Sequence, residues 1–129
     1  MNKLMRPYRS LYHISLDNHD GEIFHPRVPK NRMLLEDDKT PRICFSEDLE
    51  GCLQAIEMMP APHWEQFFFV HKPELVHPGT SPFYYPTEDE VPDVNETGEV
   101  WCLEEVRMRC TSFCMAWCDD DDMELHIEE

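Results

Sequence analysis

Five of the eleven Lys and Arg residues fall within sixteen positions: Arg27, Lys30, Arg32, Lys39 and Arg42. Cations at that density suit a phosphate, and the prolines before Arg27 and Arg42 stiffen the backbone that carries them. The blander alternative is that they pair with Glu36, Asp37 and Asp38 in the same stretch. Just downstream, Ser46 followed by Glu47, Asp48 and Glu50 reads as a capped helix start, and such a start presents free N–H groups to an anion. His13 shares one face of a short strand with Ser15, where the pair can meet a ligand or the histidine can be a satisfied core residue. Tyr12, Phe83, Tyr84, Tyr85 and Trp101 offer faces on which a base can stack, or they pin down their own loops. The thiols allow two further chemistries. Cys44 or Cys52 with His13 would make a nucleophile pair. Cys110, Cys114 and Cys118, spaced i, i+4, i+8, share a face if helical and with Cys102 or His126 would be a zinc set. Burial as small apolar side chains in a short helix or strand is the reading adopted for these three, so neither a metal nor a cofactor is expected.

These residues need elements to position them. Residues 40–56 read as strand, turn and helix: Arg42-Ile43-Cys44-Phe45 is a short apolar run, and Leu49, Cys52, Leu53 and Ile56 form one helical stripe. Residues 11–15 are a first strand, and residues 17–21 a turn. Residues 24–42 read as a long irregular loop, itself a mild pointer to function. Residues 65–71 form a strand whose Phe67-Phe68-Phe69-Val70 run is too apolar for an edge and belongs at the centre of a sheet. Residues 72–85 read as an ordered loop, residues 86–94 as an acidic turn, and residues 99–103 as another strand. Alternation continues through residues 106–110, across a bulge at Glu104-Glu105.

The chain has 129 residues, 41% of them hydrophobic, with fourteen aromatic side chains, so one domain with a real core is expected. Eleven prolines against four glycines imply short elements joined by stiff loops. The expected class is α+β: a single compact domain over residues 1–118, a mixed or antiparallel β-sheet with one or two helices, and a solvated acidic tail over residues 119–129. A formal net charge of −16 argues against nucleic-acid or anionic-membrane partners. No run is apolar enough for a membrane span and no leader pattern is visible, so six reduced cysteines in a cytoplasmic protein are expected.

The segments LYHIS, PRVP, TPRICFS, GCLQAI, VPD and TGEVWCLEEV together resemble a small family of bacterial and phage-borne proteins, over residues 11–110. More loosely, the order of elements resembles ADP-ribosyltransferase-like domains. That resemblance implies that His13 holds an NAD ribose and that residues 42–46 form the second strand. Cys44 stands where such domains commonly carry a tyrosine. Glu99 or Glu105 would be the catalytic glutamate, steadying an oxocarbenium-like transition state. The implied function is binding of an NAD, ADP-ribose or signalling nucleotide through His13, Ser15, Arg27, Lys30, Arg32, Arg42, Ser46 and Tyr84. A phage or mobile-element protein that sequesters a host defence signal would need that pocket without the glutamate. An active transferase would need both. A third class is an acidic interaction protein that blocks a basic host partner.

Overall fold

In the computed structural model the described residues are 11–29, 36–55, 65–77, 79, 81–118 and 125–128. Two long strands form its spine. β4 (Glu65–Leu75) and β7 (Val106–Cys118) pair antiparallel along their whole length. β1 (His13–Ser15) lies on the other side of β4, β2 (Ile23–Phe24) on the other side of β7's first residues, and β8 (Leu125–Glu128) beside β7's last ones. A second sheet has the order β3-β6-β5, from Ile43–Ser46, Glu99–Cys102 and Phe83–Tyr84. Every strand pair is antiparallel, and the two helices, α1 (Leu49–Ala55) and α2 (Val94–Thr97), are short. This is an antiparallel α+β fold. The two sheets meet where Tyr12 and Ser46 exchange backbone hydrogen bonds of 2.8 and 2.9 Å.

β4 is central, as its apolar run predicts, but only alternate residues of that run face inward. Phe68 and Val70 are buried, whereas Phe67 is 48% exposed. Opposite Val70 and His71 the register shifts, leaving Thr111 of β7 without a partner residue. Burial in β4 changes parity there, from Phe68 and Val70 to His71 and Pro73. A bulge that adds one residue to a strand re-aims the side chains around it. One core, around Ile14, Leu53, Phe68, Val70 and Ala116, lies under α1; the other, around Leu11, Phe45, Val100, Val106 and Met108, joins the two sheets.

Three expectations are corrected and one is narrowed. The strand starting at Glu65 runs on to Leu75, and residues 83–84 add β5 where a continuous loop was expected. The bulge lies at Thr111 and not at Glu104-Glu105, which instead connects one sheet to the other. Of the short helix or strand expected for Cys110, Cys114 and Cys118, the strand is what forms, with Cys114 and Cys118 buried and Cys110 half-buried; an i, i+4 spacing also keeps one face at period 2. Of the acidic tail, residues 125–128 form β8 against β7; residues 119–124 lie outside the described residues. Among the described residues, no helix is long and apolar enough to cross a membrane.

Candidate functional site

Between β1, β3, β6 and the two helices lies a cavity of about 180 Å³, lined mainly by Tyr12, His13, Cys44, Ser46, Thr97 and Glu99. Its walls are held by close packing. α2 ends at Gly98, whose φ of 65° lies in the left-handed region, with its N–H bonded to the Val94 carbonyl at 2.9 Å. The Gly98 carbonyl accepts from the Glu47 N–H at 3.2 Å, and the Ser46 hydroxyl donates to the Thr97 carbonyl. α1 crosses so close that a Cβ on Gly51 would sit 1.9 Å from the Thr97 oxygen.

Glu99 provides the acid. Its Oε2 accepts from the Trp101 indole N–H at 2.6 Å, and the Cys44 sulfur lies 3.9 Å from the same oxygen. Burial raises the pKa of Glu99 above the usual carboxylate range. Burial, with the Glu99 charge adding to it, pushes the Cys44 thiol up to about 12. Cys52, which donates its S–H to the Tyr12 carbonyl at 3.3 Å, is also pushed to about 12 by burial. Burial lowers His13 to about 4, so the ring is neutral; Nδ1–H donates to the Cys44 carbonyl at 3.3 Å and Nε2 carries the lone pair. Neither thiol is hydrogen-bonded to the His13 ring, the Cys44 sulfur lying by Glu99 and the Cys52 S–H by the Tyr12 carbonyl, and burial holds both protonated, so the geometry lends the Cys44 or Cys52 pair no support. Among the described residues, no group of three or more His, Cys, Asp and Glu side chains is placed to hold a metal.

Thr97 lines this cavity, exposes 1% of its surface, and its Oγ1 has no hydrogen-bond partner. Buried hydroxyls are nearly always satisfied, so an orphan on a residue that lines a void is unusual. Glu36 lines the same cavity, and among the described residues the lining contains no Lys or Arg.

Of the residues singled out from sequence, Tyr12, His13, Cys44, Ser46, Cys52 and Glu99 converge here. Arg42 does not reach the cavity. It is buried, with Nη2 2.7 Å from Glu36, Nη1 3.6 Å from Asp37 and its guanidinium 4.2 Å from the centre of the Trp101 ring. The local pairing alternative therefore holds for this residue. Arg27 is exposed and pairs with Arg42 through the backbone. Lys30 and Arg32 lie outside the described residues. The Ser15 hydroxyl is 3.1 Å from His19 Nε2 and away from the cavity lining. The Tyr84 hydroxyl donates to Glu90 at 2.7 Å. Glu105 faces His25 and His77, at 3.1 and 2.9 Å, and takes no part in the cavity. Ser46 is also not the helix cap. Asp48 fills that role, its Oδ1 accepting the Gly51 N–H, and with three acidic side chains around a seven-residue helix there is no anion site.

Sequence reading missed Thr97 and Glu36. The only trace of Thr97 was its place before a helix-ending glycine. Glu36 was visible as a partner for the cations, though not as a wall of the cavity. Compared with known proteins, the chain matches no family model, no curated protein and no solved structure.

Proposed function

We propose that the chain binds a small nucleotide of the NAD, ADP-ribose or signalling kind by its nucleoside end and returns it unaltered. One ring of the ligand enters the cavity and donates hydrogen bonds to Glu99 while Thr97 Oγ1 gains the partner it lacks. The orphan Thr97 hydroxyl on a residue that lines the same cavity as the half-buried Glu99 carboxyl carries this reading. Size supports it: about 180 Å³ suits a single ring, whereas drug-sized ligands occupy roughly 300–1,000 Å³. Charge sets the orientation. Among the described lining residues there are two carboxyl side chains and no cation, which would repel a phosphate, so the phosphates lie outside, where exposed Arg27 stands two residues before the lining residue Pro29. An ADP-ribosyltransferase-like fold is part of this proposal, supported by His13 on the first strand and Glu99 on a later one meeting at one cavity.

The test is thermal shift and calorimetry against NAD, ADP-ribose, its cyclic forms and cyclic di- and trinucleotides, each sample then checked by chromatography. A bound ligand stabilises the fold by about 3–4 kcal/mol at a hundred- to thousandfold excess over its Kd. Thr97→Val and Glu99→Gln should abolish that shift while each variant keeps a cooperative melt. A ligand consumed by the parent and spared by Glu99→Gln would make the chain a transferase. No shift with any of these ligands would refute the reading.

A further inference from the structure

Away from the cavity, the solvent side of the β4, β7 and β8 ribbon carries a row of aromatic side chains. Register places Phe67 opposite Met115, Phe69 opposite Phe113 and Glu65 opposite Trp117. Phe67 and Phe113 are 48% and 52% exposed and lie parallel, their ring centres 5.5 Å apart at 7°. Phe69 adds a second contact to Phe113 at 4.8 Å. Beside them is a groove of about 350 Å³ lined by Phe67, Phe113, Cys114, Met115 and Glu128. Large side chains stacked on one another in water, next to an open groove, mark an interaction surface.

Charge identifies the occupant. Glu65 and Glu128 frame the aromatic row, both exposed, and this stretch of β4, β7 and β8 contains no Lys or Arg among the described residues. The whole chain carries −16. A nucleic acid would be repelled by that field, and so would a second copy of the chain. Aromatic faces with carboxylates at their rim suit Arg and Lys, which stack over the ring while their charge meets the acid. We propose that this face docks a basic protein segment, its cationic side chains lying over Phe67 and Phe113 between Glu65 and Glu128. This proposal is independent of the cavity, which shares none of these residues.

The experiment is fluorescence anisotropy of a short labelled peptide of alternating arginine and glycine, titrated with the full chain at low and at physiological salt. Phe67→Ser with Phe113→Ser should weaken binding roughly tenfold, two exposed cation–π contacts being removed. Both positions are exposed, and an unchanged melting temperature confirms the fold. Glu65→Gln with Glu128→Gln should weaken binding clearly more than Asp17→Asn with Asp89→Asn, which removes the same charge elsewhere. If the two charge pairs act alike, or the phenylalanine pair has no effect, only net charge is at work and the proposal fails. It also fails if the parent does not bind the peptide, if an oligonucleotide binds through the same phenylalanines, or if the parent sediments as a dimer that Phe67→Ser with Phe113→Ser disperses.

Discussion

Replacing Arg42 with methionine tests whether this cation serves the fold or a ligand. Its side chain is 0% exposed, while those of Glu36 and Asp37 are 10% and 18% exposed. Methionine fills much of the same volume and keeps contact with Trp101, but it leaves the Glu36 carboxylate desolvated without its cation. Removing one partner of a buried ion pair costs about 3–5 kcal/mol, because the other charge stays behind. Against a domain stability of about 5–15 kcal/mol that is a large fraction, and it corresponds to a fall of roughly 10–20 °C in Tm. Urea denaturation followed by Trp fluorescence measures it. Glu36→Gln should recover part of the loss in the Arg42→Met background, since it removes the stranded charge; a double-mutant cycle should give a coupling of about 1–3 kcal/mol. Arg42→Lys should be intermediate, keeping the charge and losing the planar fork and the stack. A methionine variant within about 1 kcal/mol of the parent, with no coupling to Glu36, would refute this account of Arg42.

Two other outcomes follow from the geometry around the cavity. His13 is held neutral, its pKa lowered to about 4 from 6.5, so its contribution is complete above pH 6.5 and is lost as the pH falls towards 4. The loss reaches about 3 kcal/mol; urea midpoints between pH 7.5 and 4.5 should fall less steeply in His13→Asn than in the parent, and parallel profiles would count against the burial argument. Gly51→Ala would drive a Cβ to 1.9 Å from the Thr97 carbonyl oxygen, so helix propensity should lose to the clash. The variant should be destabilised by about 1–3 kcal/mol by calorimetry, and an equally stable or more stable protein would mean that α1 and α2 do not pack as described.

The strand–turn–helix expected over residues 40–56 was legible because a short apolar run, turn chemistry and a helical stripe agree there. β4 was legible as central because four apolar residues in a row leave few other choices. The cysteines of β7 were not, since a spacing of four falls on one face in either a helix or a strand. Choosing Asp48 over Ser46 as cap depended on Ser46 being claimed by Thr97, a residue far along the chain. Arg42 looked like a phosphate ligand because cations in a cluster look alike in sequence. Its burial depends on Glu36 and on a Trp101 brought in from the other end of the fold. The same holds for the cavity: His13 and Glu99 stood out by type, while Thr97 is made conspicuous by the bond it lacks.

The strand pairings carry a consequence for how the chain folds. His13 pairs with His71, Ile43 with Cys102, Ile23 with Arg107, and β4 with β7, so nearly every ladder joins segments distant in sequence. Such topologies fold slowly, in milliseconds to seconds, because long loops must close before their contacts repay the entropy. During synthesis neither sheet can be completed until residues 99–118 have left the ribosome. Until then only the three residues of β1 are available to pair with β4, and most of the strongly apolar Phe67–Val70 run stays uncovered in the nascent chain. The abundant carboxylates would then act as a safeguard, keeping nascent chains apart during the interval when that segment is most able to aggregate.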